Sequence, residues 1–106
     1  MIGQIPEELL RQIHEKLDKN EFSIAFHAEQ DILKQGYNWS KEFILNCLKK
    51  GKIYDGLALY PGIKERHGRY YCIHKQSLLS SNLILISFLI KDDILVIHIS
   101  PLYNPV

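Results

Sequence analysis

The stretch that most constrains the fold runs from Leu83 to Ser100, LILISFLIKDDILVIHIS, and is the densest run of β-branched and aliphatic residues in the chain. Its two apolar runs are separated by Lys91-Asp92-Asp93, and aspartates between apolar runs indicate a turn. The stretch therefore predicts a β-hairpin with Asp92 and Asp93 as the central turn residues.

This register gives the hairpin two unlike faces, because side chains alternate across a strand. One face is purely apolar and pairs Ile90 with Leu95, Phe88 with Ile97 and Ile86 with Ile99. The other face pairs Leu89 with Val96, Ser87 with His98 and Leu85 with Ser100. We expect helices to cover the apolar face and the second face to be more open.

Length and composition exclude several classes of protein. The 106 residues suffice for one domain with a single core, and no second domain fits. An apolar fraction of 46% and a charged fraction of 24% argue against wholesale disorder. A net charge of +1 provides no global attraction to nucleic acid or membrane, so any anion-binding site must be local. The first residues lack the basic segment and apolar core of a signal peptide, and we expect a cytoplasmic protein.

The segments before the hairpin alternate between helical and strand patterns. Apolar residues recur at helical spacing in Ile5 to Asp18, in His27 to Gly36 and in Lys41 to Lys50, with Gly36 as a natural stop and Ser40 as a cap. Strand patterns occupy Phe22 to Phe26, Arg69 to Lys75 and, ambiguously, Lys52 to Tyr60, and Pro101 is expected to end the pairing after Ser100. The sequence thus predicts an α+β domain, in which two or three N-terminal helices pack on a mainly antiparallel sheet of about four strands ending in a C-terminal β-hairpin.

Three further residue types support a packed core. Cys47 and Cys72 lack a CxxC spacing and are interpreted as reduced core thiols. Trp39 is interpreted as an anchor that packs between the second and third helices. His14 lies at the edge of the apolar stripe of the first helix and has no metal-type residue three or four positions on, so we interpret it as a partly buried or surface histidine.

The order of elements resembles the small prokaryotic domain of unknown function 4258 family over roughly residues 22 to 101. The residues that carry the resemblance are His27-Ala28-Glu29 after a strand, Gly36, Gly51, Arg69-Tyr70 and Ile99-Ser100-Pro101. The family usually has an arginine soon after the histidine-alanine pair, where this chain has Gln30, Asp31 and Ile32. The layout is also similar to the compact toxins of the RelE and BrnT type that cut messenger RNA, and this fold analogy implies an RNA-directed function.

A ribonuclease that uses the 2′-hydroxyl of its substrate needs a base, an acid and cations that hold the phosphate. Histidine suits both proton transfers near neutral pH. By strand alternation His74 and His98 fall on the same open face, and we predict them as the catalytic pair. The predicted substrate-binding residues are His27, at a strand-to-helix junction, with Arg66, His67, Arg69 and Tyr103.

Other interpretations compete with this one. A zinc site formed by His74, His98 and either Cys72 or His27 lacks a paired spacing, and a nucleophilic pair of Ser87 and His98 lacks an orienting acid. We therefore predict no metal and no cofactor. Alternatively, the open face is a protein interface formed by Tyr70, His74, Leu85, Leu89, Val96 and His98.

Two functions therefore remain open at this point. The first is a toxin-like RNA-binding domain or metal-independent endoribonuclease, whose partners would be RNA and an antitoxin-like protein. The second is a non-enzymatic interaction domain, whose partner would be another protein or a second copy of the chain. Neither involves a membrane, because the longest apolar run is too short to span a bilayer as a helix.

Overall fold

A computed structural model describes residues 5–56, 69–77 and 82–102, and the predicted α+β class is confirmed. The helices are α1 (Glu7–Asp18), α2 (Phe26–Lys34) and α3 (Lys41–Lys50). The strands are β1 (Phe22–Ile24), β2 (Lys52–Asp55), β3 (Tyr70–Lys75), β4 (Leu83–Ile90) and β5 (Ile94–Leu102). They form one sheet in the order β1-β5-β4-β3-β2, in which β1 runs parallel to β5 and the other neighbours are antiparallel. None of the described helices is long and apolar enough to cross a membrane.

The helix ends follow the sequence signals closely. Gly36 has a φ of 79° just beyond α2, and Asn20 has a φ of 60° just beyond α1. After α1 and after α2, three backbone N–H groups bond back to carbonyls near the end of the helix, which satisfies acceptors that a helix end leaves free. The hydroxyl Oγ of Ser40 accepts a hydrogen bond of 3.1 Å from the backbone N–H of Phe43 and caps α3 as predicted.

The junction between β1 and α2 differs from the prediction. Phe26 begins α2 and its side chain is 72% exposed, whereas the sequence pattern placed it in a strand beside Phe22 and Ile24. The strand stops early because Ala25 makes the last ladder bond, from its N–H to the carbonyl of Val96, while its own carbonyl accepts the first bonds of the helix. The alternation of large and small residues could not reveal this competition.

The core lies on one side of the sheet. The helices contribute Ile13 and Leu17 of α1, Ile32 of α2, and Ile44, Cys47 and Leu48 of α3 to a single cluster. The strand members of this cluster all share one face of the sheet by their pairing, and they are Phe22, Ile53, Tyr70, Cys72, Ile84, Ile86, Phe88, Ile94, Val96 and Ile99. We call this face the inner face and the opposite one the outer face.

The predicted hairpin is confirmed, but its register near the turn is wrong by one residue. The turn has three residues, so Ile90 pairs with Ile94, Leu89 with Leu95 and Phe88 with Val96. A bulge with Ile97 as the extra residue of β5 then restores the predicted pairs of Ser87 with His98, Ile86 with Ile99 and Leu85 with Ser100. As a result Val96 lies on the inner face, and Leu95 and Ile97 lie on the outer face.

Contacts from distant parts of the chain hold this turn. The ammonium group of Lys16 donates to the carbonyl of Asp92 at 2.8 Å, and the hydroxyl of Ser23 donates to the carboxylate of Asp93 at 2.9 Å. The N–H of Ile94 donates to the carbonyl of Glu21. These tertiary bonds select the three-residue turn over the two-residue turn that the local sequence favours.

Strand β5 continues through Pro101, which the sequence analysis expected to end the pairing. Pro101 pairs with Ile84, and Leu102 pairs with Leu83. Proline is tolerated at a strand edge because its missing N–H then removes no ladder bond. β1 pairs only with the stretch Ile94 to Val96 of β5. Within the described sheet, the side of β5 that faces away from β4 is therefore a free edge at Pro101.

A first prediction concerns Gly51, where the chain leaves α3 and passes close to β3. A Cβ atom there would lie 2.5 Å from Sγ of Cys72, 2.7 Å from the carbonyl oxygen of Cys47 and 2.8 Å from that of Ile73. We expect Gly51→Ala to lower the free energy of unfolding by about 2 kcal/mol, since the backbone neighbours cannot move aside cheaply. Urea denaturation followed by circular dichroism measures the change.

Gly36→Ala is the matched control, because a Cβ atom at Gly36 meets nothing within 4 Å. Its only cost is the left-handed backbone conformation, about 1 kcal/mol. A loss in Gly51→Ala no larger than that in Gly36→Ala would contradict the close approach of α3 to β3.

Candidate functional site

The two predicted catalytic histidines lie on opposite faces of the sheet. His74 pairs with Ile84, whose side chain is fully buried on the inner face. His98 pairs with Ser87 on the outer face. The prediction that they share one open face is therefore wrong. The length of the connection between β3 and β4 does not determine which residues of the two strands pair, so the sequence alone could not show on which face His74 lies. A proton relay that needs both imidazoles at one substrate atom finds no support in this arrangement.

Each histidine has its own environment. His74 is half-buried near the end of β3, and its Nδ1 lies 2.9 Å from the carbonyl oxygen of Lys75, so Nδ1 carries the hydrogen that this bond needs. His98 is exposed, although its neighbour Ser87 is only 2% exposed. His27 is the second residue of α2 and is exposed. The structure thus brings none of these three into a shared site.

Of the other predicted substrate-binding residues, Arg69 is the one within the described part of the chain. Its Nη2 lies 3.5 Å from the carboxylate Oδ2 of Asp55, and its guanidinium carbon lies 5.2 Å from the ring centre of Tyr70. The charge of Arg69 is therefore already compensated by a neighbour. Arg66, His67 and Tyr103 lie outside the described residues.

The competing chemical interpretations gain no geometric support. Within residues 5–56, 69–77 and 82–102, no group of three or more histidine, cysteine or acidic side chains is placed to hold a metal ion. Ser87 and His98 are cross-strand neighbours as predicted, but the described strands contain one acid, Asp55, and it is placed on the inner face by its pairing with Tyr70. The Ser87–His98 pair therefore lacks an orienting carboxylate from the sheet.

The outer face is mainly aliphatic and aromatic. By register it carries Tyr54, Tyr71, Ile73, Leu83, Leu85, Leu89, Leu95 and Ile97, together with Ser87, His98 and Ser100. Leu83, Leu85 and Leu95 are only half-buried, whereas Ile84, Ile86 and Phe88 on the inner face are fully buried. Burial is uneven on the outer face, because Leu89 and Ile97 are each only 8% exposed. Exposed lysines, Lys52 and Lys75, are confined to its β2 and β3 side.

The composition of this face corrects the predicted interface. Leu85, Leu89 and His98 belong to the outer face as predicted, but Tyr70, His74 and Val96 lie on the inner face. Sequence reasoning missed Leu95 and Ile97, which reach the outer face because the turn has three residues instead of the predicted two. The contacts that Lys16 and Ser23 make with this turn come from distant parts of the chain, so no local signal marks its length.

Comparisons with known proteins returned no match for this chain, whether against family models, curated proteins or solved structures. The resemblance to the domain of unknown function 4258 family and the analogy with compact toxins therefore stay predictions.

The two cysteines are free and buried, as the sequence analysis expected of core thiols. The thiol of Cys72 donates a hydrogen bond of 3.2 Å to the carbonyl of Cys47. Burial raises the pKa of Cys47 to about 11, and burial together with the neighbouring Cys47 raises the pKa of Cys72 to about 12. Both thiols are thus protonated near neutral pH, which makes them poor nucleophiles and poor metal ligands.

These raised pKa values predict a loss of stability at alkaline pH. In the unfolded chain the thiols ionise near their ordinary pKa of 9.0, but in the folded chain they stay protonated until about 11 and 12. The contribution of the buried thiols to the free energy of unfolding is complete below pH 9. It is lost as the pH rises from the unfolded pKa through the folded pKa values. We expect the wild type to lose about 4 kcal/mol more than the Cys47→Ala/Cys72→Ala variant between about pH 8 and about pH 10.5, about 2 kcal/mol for each thiol.

Urea denaturation at both pH values measures this difference, and the double variant removes the contributions of lysine and tyrosine titration from the comparison. Parallel pH profiles for the two proteins would contradict the burial of the thiols.

Proposed function

We propose that this chain is a non-enzymatic interaction domain that self-associates through the outer face of its sheet. The observation that carries the proposal is the one-sided core. Every helix residue in the core cluster packs with strand residues of the inner face, while Leu83, Leu85 and Leu95 of the outer face stay half-buried beside the more deeply buried Leu89 and Ile97. Clustered apolar side chains that keep part of their surface exposed are typical of protein interfaces.

A second copy of the chain is the partner that this surface fits best. A two-fold axis brings the same patch of both subunits together, so a predominantly apolar patch is complementary to itself. Two sheets stack face to face at about 10 Å with interdigitating side chains. The leucines of β4 and β5 lie in the central part of the sheet and would form the apolar centre of such an interface.

The polar groups of the outer face agree with this arrangement. Lys52 and Lys75 lie towards the β2 side, where they would stay hydrated at the rim. The described strands place no acid on this face, so its centre contains no charge that an identical partner would have to neutralise. Interfaces between identical subunits are in general more apolar than transient interfaces, and the outer face resembles them in this respect.

The arrangement of charge favours this function over an RNA-directed one. Phosphate binding dominates the affinity of proteins for RNA and needs several uncompensated cations on one surface. Arg69 is paired with Asp55, and His74 and His98 lie on opposite faces. The endoribonuclease activity and the antitoxin-like partner stay predictions.

Sedimentation equilibrium tests self-association. We expect the wild type to form dimers at micromolar concentration, and Leu85→Lys or Leu95→Lys to raise the dimer dissociation constant about a hundredfold or more, because each places a charge in an apolar interface. Leu33→Lys is the matched control, since Leu33 is 75% exposed on α2 and lies away from the outer face. It should associate like the wild type.

Two outcomes would contradict the proposal. One is a folded wild type that remains monomeric at about 100 μM, a concentration far above the dissociation constants of stable dimers. The other is metal-independent cleavage of single-stranded RNA that is lost in both His74→Ala and His98→Ala, which would support the ribonuclease hypothesis instead.

A further inference from the structure

His98 is an exposed, titratable side chain among the apolar residues of the outer face. It pairs with Ser87 of β4, the central strand of the sheet, and Ser87 is only 2% exposed. Leu85 and Leu89 flank Ser87 on the same face, so they are the diagonal neighbours of His98 across the strand pair. The imidazole of His98 therefore stands among the side chains that self-association would cover.

The outer face offers no acid to a protonated His98. Within the described part of the chain, His98 forms no ion pair. The other charged side chains that the described strands place on this face are the exposed cations Lys52 and Lys75, and its tyrosines are Tyr54 and Tyr71. A second copy related by a two-fold axis presents the same face, so it adds cations and no carboxylate.

Acids on the neighbouring elements are separated from His98. The helices that contact β5 are α1 and α2, and they pack on the inner face, so the sheet lies between their acids and His98. Asp93 of the turn is five residues before His98, roughly 15 Å along an extended strand, and Lys91 and Asp92 lie further still. Charges at such a distance are largely screened at physiological ionic strength. A proton on His98 thus has no nearby counter-charge.

We propose that protonation of His98 separates the two copies of the chain, so that association through the outer face is lost as the pH falls below about 6. This inference rests on the self-association proposed above. A neutral imidazole can enter an apolar interface, but an imidazolium would lose its hydration there without gaining a carboxylate, which costs far more. Protons therefore bind preferentially to the separated chains, and each dimer takes up two protons when it dissociates.

Sedimentation equilibrium at about pH 7.5 and about pH 5.5 tests this inference. A histidine with the ordinary pKa of about 6.5 is about nine-tenths protonated at the lower pH, which weakens association about tenfold for each of two imidazoles. We expect the dimer dissociation constant of the wild type to rise about a hundredfold between the two pH values. In His98→Gln, which cannot take up the proton, it should change about threefold or less, because the remaining titrating groups act through solvent.

His27→Gln is the matched control, because it removes an exposed histidine from α2, away from the outer face. It should keep the pH dependence of the wild type. Circular dichroism at both pH values measures folding, and a wild type that unfolds at the lower pH would overturn the inference, since dissociation would then follow from unfolding.

Failure of this inference is distinguishable from failure of the proposed function. A wild-type dissociation constant that is equal at the two pH values, or one that rises as much in His98→Gln as in the wild type, would overturn the inference and leave self-association standing. A folded wild type that is monomeric at about 100 μM at the higher pH would overturn both.

Discussion

The packing of the helices against the inner faces of β4 and β5 is the interaction on which the rest of the structure depends. Ile84, Ile86 and Phe88 alternate along β4 and are fully buried, and Ile94 and Val96 of β5 are buried beside them. Side chains of this size contribute about 1.5 to 3 kcal/mol each when they are fully buried. All three described helices contribute to this one cluster, so they cover the inner face, and the outer face carries more half-buried and polar side chains.

This one-sided core also determines where function can lie. Residues brought to the inner face, such as Cys72, lose contact with water, and the raised pKa of the Cys72 thiol is the chemical consequence. Several residues on the outer face, among them Leu85, Leu95 and His98, keep access to solvent or to a partner. A cavity beside β2 forms where α1 and the end of α3 meet the last described strand of the sheet, and the exposed Lys50 is among its lining residues.

Local signals in the sequence predicted much of this fold. Gly36 and Ser40 mark helix ends because their conformational and hydrogen-bonding properties act within a few residues. The alternation of β3 was likewise visible, since a strand directs successive side chains to opposite faces whatever its neighbours are. What failed were features that depend on distant contacts. The turn after Ile90 is selected by bonds from Lys16 and Ser23, and the separation of His74 from His98 follows from the register between β3 and β4.

Detection of contacts between two copies of the chain would show directly whether the outer face is the interaction surface. An isotope-filtered nuclear Overhauser experiment on a mixture of labelled and unlabelled protein observes only intermolecular proximity. We expect intermolecular contacts from the methyl groups of Leu85 and Leu95, and none from those of the exposed Leu33 on α2. Contacts that map to α2 instead, or no intermolecular contacts at concentrations where the protein sediments as a dimer, would contradict it.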